Sequence, residues 1–85
     1  MPPRGPMTRG PMKRIPVESR TLAAVGYDVV GALLEVEYKH GVVVQYQGVR
    51  AGVYWDLMRS DSLSAFDEFY AARLEHGTYP RIAIE

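Results

Sequence analysis

Val42-Val43-Val44-Gln45-Tyr46-Gln47-Gly48-Val49 is the stretch on which the reading of this 85-residue chain turns. Three valines, then alternating polar and aromatic residues, then a glycine, spell a β-strand that stops before a different element begins. Successive side chains on a strand point to opposite faces, so Val42, Val44 and Tyr46 share one face. Val43, Gln45 and Gln47 share the other. The first face is apolar and has to meet a core. Upstream, Lys39-His40-Gly41 has the composition of a tight hairpin turn, with Gly41 free to take a positive φ. Before it, Ala32 to Tyr38 alternates too, with Leu34, Val36 and Tyr38 on one face and Leu33, Glu35 and Glu37 on the other. Two antiparallel strands with matching apolar faces follow.

Working outward, Leu22 to Asp28 is a further strand, and Gly26 leaves a gap in it for a neighbouring aromatic ring or a bulge. Ile15-Pro16-Val17-Glu18 is extended, because the residue before a proline avoids the helical region. Pro16 cannot donate to a ladder, so this piece belongs at an edge or a strand start. On the other side of the opening stretch the period changes to that of a helix. Val53 and Leu57, flanked by Tyr54 and Met58, mark one apolar stripe, and Trp55, Asp56 and Arg59 fall to the other side. Ser60-Asp61-Ser62 ends that helix and caps the next. Leu63, Phe66, Tyr70 and Leu74 form the second stripe, with Phe69 beside it. Asp67 and Glu68 suit the helix dipole, and Gly77 is placed to end the helix. Tyr79 to Ile84 alternates, which allows a short terminal edge strand. The fold class is α+β: an antiparallel three-stranded β-meander with two C-terminal helices packed on one face.

Composition narrows the function. The chain has no cysteine, which excludes disulfides and thiolate metal sites. No apolar run approaches the ~20 residues of a membrane span, and the expected location is the cytoplasm, with no membrane partner. Net charge is zero but uneven: residues 1–20 carry five basic side chains against Glu18, and residues 21–85 carry five basic and nine acidic ones. Residues 1–11, with four of the six prolines and most of a repeated Arg-Gly-Pro-Met, read as a disordered arm. Residues 12–85 read as a single domain. A basic tail on a mildly acidic body suits phosphate contacts made by the tail rather than by the body.

Catalytic groups are scarce. His40 and His76 are the two histidines. Neither sits in a metal-ligand spacing, so no metal and no cofactor is expected. Glu35 and Glu37 could act as paired carboxylates, but their alternation places them on the solvent side of a sheet. Ser60 and Ser62 lack a nucleophile context and read as caps. The expectation is a protein that is not an enzyme. The nine aromatic residues are more suggestive. Most lie at core spacing, whereas Trp55 lies off the apolar stripe beside Asp56 and is the expected interface anchor, with Tyr54, Gln45 and Gln47 as neighbouring interface candidates.

From Met12 onward the chain resembles the KTSC domain, a module named for its place at the C-terminus of some lysyl-tRNA synthetases and also found as free-standing bacterial or phage proteins. The residues carrying the resemblance are Met12-Lys13-Arg14-Ile15-Pro16-Val17-Glu18-Ser19, Val25-Gly26-Tyr27-Asp28, Leu34-Glu35-Val36-Glu37-Tyr38 and Gly41. It continues through Val44-Gln45-Tyr46-Gln47-Gly48-Val49, Val53-Tyr54, Leu57, Ser62 and Tyr79-Pro80-Arg81-Ile82. The resemblance implies an RNA-binding role, for which Lys13, Arg14, Arg20, Arg50 and Arg81 would supply charge, with Tyr46 or Trp55 stacking on a base. The family's Tyr-x-Tyr motif falls here on Val44 and Tyr46, so its first aromatic is absent. Ser64 stands where the family has glycine. Phe66 to Gly77 is longer than usual and lacks the common basic residues. The residues themselves point instead to a protein-interaction or self-assembly module, a homo-oligomer included. A small-ligand or nucleotide binder built at an oligomer interface is the remaining alternative.

Overall fold

The computed structural model describes residues 13–84. The arm expected at residues 1–11 lies outside them. Five antiparallel strands form one sheet in sequence order: β1 (Ile15–Pro16), β2 (Leu22–Asp28), β3 (Leu33–Tyr38), β4 (Val43–Gln47) and β5 (Arg81–Ala83). Between β4 and β5 run two helices, α1 (Ala51–Met58) and α2 (Leu63–Tyr70), the second continuing through one π-helical turn at Ala71–Glu75. The expected three-stranded meander is therefore the centre of a wider sheet. Both outer edges of that meander offered unpaired N–H and C=O groups, and the chain uses its own flanks to bond them.

Register places the faces. Leu34 lies opposite Tyr46 and Val36 opposite Val44, and Val25 and Tyr27 continue those rows on β2. This face meets Val53, Tyr54 and Leu57 of α1 and Phe66, Tyr70 and Leu74 of α2, with Val49 closing the end of the core. A spacing of four residues drifts by roughly 40° per step on an α-helix. The wider π turn takes up the drift and keeps Leu74 in line with Phe66 and Tyr70. Gly41 and Gly48 adopt φ of 102° and 73°, so both turns flanking β4 use the left-handed region that glycine enters without strain.

Four expectations need correction. Val42 belongs to the hairpin turn, where its carbonyl accepts from the Tyr38 N–H at 2.8 Å, and β4 begins one residue later. Gly26 accommodates neither a ring nor a bulge. The register irregularity falls between Leu22 and Ala24, and a Cβ at Gly26 would lie 2.6 Å from the Lys13 carbonyl oxygen, so the glycine admits the backbone entering β1. Asp67 does not serve the dipole of α2. It accepts from Ser19 Oγ at 2.6 Å and from the Arg20 N–H at 3.1 Å, tying the β1–β2 turn to the helix. Glu35 is not on a solvated face: it is 2% exposed and carries an ion pair with Arg14.

Ser62 does cap α2 as expected, accepting from the Ala65 N–H at 3.0 Å. Among the described residues no helix is long and apolar enough to cross a membrane.

Candidate binding surface

Three arrangements of side chains stand apart from the core packing, and each takes up some of the residues singled out in the sequence.

The first is the outer face of α1. Gly48 turns the chain out of β4, and Val49 and Arg50 lead into the helix. Helical spacing then buries Val53, Tyr54 and Leu57 and turns Trp55 outward, 57% exposed. Its ring leans on Tyr54 at a centroid distance of 5.2 Å. Tyr54 is itself stacked on Tyr27 at 4.9 Å with the rings 10° from parallel. The Tyr27 hydroxyl donates to the Val49 carbonyl at 2.5 Å, which ties strand β2 to the approach of α1. Trp55 is thus backed by a braced aromatic stack rather than by a loop. Asp56 and Arg59 form an ion pair on the same exposed side, and Arg50 is exposed just before the helix. In the β2–β3 loop, Val29 and Val30 are 71% and 95% exposed.

The second arrangement is a tyrosine cluster where the sheet meets the end of α2. Tyr70 hydroxyl lies 2.6 Å from that of Tyr38 and 3.0 Å from that of Tyr46. Arg81 donates to the Tyr46 hydroxyl at 3.4 Å and sits over its ring at 5.9 Å. Burial, with the two hydroxyl bonds adding to it, holds the Tyr70 phenol far above the ordinary tyrosine range, and burial also raises Tyr38. The three hydroxyls are hydrogen-bond donors and acceptors that clasp helix to sheet.

The third lies on the sheet face turned away from the helices. Gly26, Glu35, Gln45 and Ile82 stand side by side across β2 to β5. Arg14 lies over the glycine and pairs with Glu35 and, at 3.4 Å, with Glu37. Gln45 donates to the other Glu35 oxygen at 3.3 Å. One guanidinium bridges both carboxylates, balancing one of their two charges, and staples the chain entering β1 to the sheet.

The nucleic-acid candidates are dispersed by this geometry. Tyr46 is fully buried and cannot stack on a base, which corrects that expectation: the face it shares with Val44 is the core face. Arg14 is spent on Glu35 and Glu37, Arg20 pairs with Asp67 at 3.9 Å, and Arg81 rests on Tyr46 at the opposite edge of the sheet from Lys13 and Arg14. Lys13 and Arg50 are exposed, and among the described residues neither is held in an ion pair. Of the interface candidates, Trp55 and Gln47 are exposed, whereas Tyr54 is buried beneath Trp55 and Gln45 is half-buried at Glu35. The sequence reading missed Tyr27 as the brace behind Tyr54, and Ser19 as the link to Asp67. Neither has a local signal, because both partners lie far away in sequence.

Among the described residues no group of three His, Asp or Glu side chains could hold a metal ion. A shallow open cleft of about 300 Å³ lies between the β1–β2 turn and the start of α2, lined by Val17, Met58, Leu63 and Phe66 with Glu18 and Asp61 at its polar part.

The assembly is that of a small α+β module: one antiparallel sheet, two helices on one face, and a single exposed tryptophan on a rigid support. The chain belongs to the KTSC domain family, whose sequence profile matches residues 18–73. It is 35% identical over 72 residues to an uncharacterised protein of Stutzerimonas stutzeri, an alignment covering 84% of this chain and 99% of that one. The crystal structure of a KTSC domain protein from Yersinia pestis has the same fold, with a TM-score of 0.72 at 26% identity over 88% of this chain and all of that one.

Proposed function

We propose that this protein is a non-catalytic binding module whose contact surface is the outer face of α1, with Trp55 as the anchor and another protein as the partner. The observation that carries the reading is the exposure of Trp55 on the Tyr54–Tyr27 stack. A tryptophan left in water gains most when a partner covers it, and a rigid support means that little side-chain freedom is lost on binding. The Asp56–Arg59 pair and Arg50 provide a polar rim around the aromatic centre.

RNA binding, the role implied by the family, is the second reading. It is favoured by one feature of the same surface: Arg50 is exposed immediately before the helix that carries Trp55. A base stacked on Trp55 with Arg50 at a phosphate would use that pair.

The test compares the wild type with Trp55→Ala. Partners are captured from host extract treated with ribonuclease, and the captured protein is purified and titrated against both forms. Loss of at least about 2 kcal/mol, roughly 30-fold in Kd, is expected for the variant. Equal affinity would remove Trp55 from the interface. A single-stranded oligonucleotide bound in a strongly salt-dependent way, with affinity lost in Arg50→Ala, would give the surface to RNA instead.

A further inference from the structure

We propose that β5 is a self-pairing edge through which two copies of this chain join their sheets in antiparallel register, a surface separate from that of Trp55. The hydrogen bonds of β5 to β4 decide which of its backbone groups point outward. Gln47 N–H donates to the Pro80 carbonyl and Ile84 N–H to the Val43 carbonyl, both at 2.8 Å. Antiparallel ladders alternate bonded and non-bonded pairs, so Gln45 and Ile82 form the bonded pair between those two. Arg81 and Ala83 therefore turn their own N–H and C=O groups away from β4. Among the described residues no strand lies beyond β5 to receive them.

The other edge is closed to addition by the same logic. Val17 N–H bonds inward to the Ala23 carbonyl at 3.1 Å, which makes Pro16 the outward-facing residue of β1. Proline has no N–H to offer a further strand. An edge that can pair and an edge that cannot exclude a head-to-tail array and favour a closed two-fold pair of β5 with itself.

A two-fold centred on Ala83 satisfies every requirement of such a pair. Ala83 then faces Ala83 of the other copy with both outward bonds made. Ile82 faces Ile84 of the other copy in the non-bonded positions, where side chains approach most closely. Ile82 and Ile84, 49% and 41% exposed, lie on the sheet face away from the helices, so the pairing would gather four isoleucines into one apolar strip. Edge strands that stay single are commonly guarded by a charge, a proline or a bulge; Arg81–Ala83 has no proline, and its one charge, Arg81, is turned onto the Tyr46 ring and leaves the outward backbone groups of Ala83 uncovered.

Two measurements test the pairing. The first is solution mass against concentration by sedimentation for the wild type, Ala83→Pro and Trp55→Ala. The 9.5 kDa chain should approach twice its mass as concentration rises into the millimolar range. Ala83→Pro removes only an outward N–H and should hold the chain at monomer mass, while Trp55→Ala should dimerise like the wild type. The second uses wild-type protein alone: on dimerisation the amide of Ala83 should slow at least tenfold in hydrogen exchange, and an Ile82–Ile84 contact between copies should appear by isotope-filtered NMR. A chain that stays monomeric at millimolar concentration with an unprotected Ala83 amide overturns the proposal. So does a dimer that Trp55→Ala dissolves and that leaves the Ala83 amide unprotected.

Discussion

Replacing Arg14 with methionine separates a structural role for this arginine from a ligand-binding one. The variant leaves Glu35, whose side chain is 3% exposed, with Gln45 as its remaining polar partner among the described residues. Removing one member of a buried ion pair costs about 3–5 kcal/mol, because the other charge stays where water cannot solvate it. Arg14 is itself 18% exposed, so the lower end of that range, about 3 kcal/mol, is expected. An 85-residue domain has roughly 4–13 kcal/mol in total, so the variant should lose some 12–24 °C in Tm. Glu35→Leu should cost less, since Arg14 keeps Glu37 and some water. The double variant, with an apolar pair in place of the ionic one, should recover to within about 1 kcal/mol of the wild type. Urea denaturation followed by far-ultraviolet circular dichroism on all four proteins gives the coupling directly. Costs that simply add, or a loss below about 0.5 kcal/mol for Arg14→Met, would refute the staple and return Arg14 to the set of available phosphate contacts.

Two further outcomes follow from the buried polar links. Tyr70 is raised in the folded state, so its contribution to stability is complete below the unfolded pKa of about 10 and declines as pH rises beyond it, by about 1.36 kcal/mol per pH unit for this one group. Tyr70→Phe should flatten that alkaline slope in a pH series of urea midpoints, and a slope unchanged by the variant would show that Tyr70 ionises freely. Ser19 donates to Asp67 and accepts from the N–H groups of Thr21 and Leu22, and it is buried. Ser19→Ala should cost about 1–3 kcal/mol, measurable as a shift in thermal midpoint, whereas a change near zero would mean that water replaces the hydroxyl.

The pairing of Leu34 with Tyr46 and of Val36 with Val44 was legible in the sequence, because period-two alternation on two runs joined by a glycine turn admits one register that buries both apolar faces. The helical stripes of Val53 and Leu57, and of Phe66, Tyr70 and Leu74, were equally legible, as was the Ser62 cap. Trp55 could be picked out as exposed for the same reason, since it breaks its helix's stripe. All of these are local patterns that depend on residues a few positions apart.

Tertiary structure alone decided the width of the sheet, the burial of Glu35 and the fate of the arginines. Ile15–Pro16 and the alternating run Tyr79 to Ile84 read in the sequence as edge segments, but that both join the sheet is decided in space, where β2 and β4 present backbone groups that need partners. Glu35 alternates like a solvated residue, yet Arg14, 21 positions earlier, crosses Gly26 to cover it. Charge read along the chain counts side chains without their partners. An arginine's availability depends on which carboxylate the fold brings beside it, and that is a property of distances in space rather than of order in sequence.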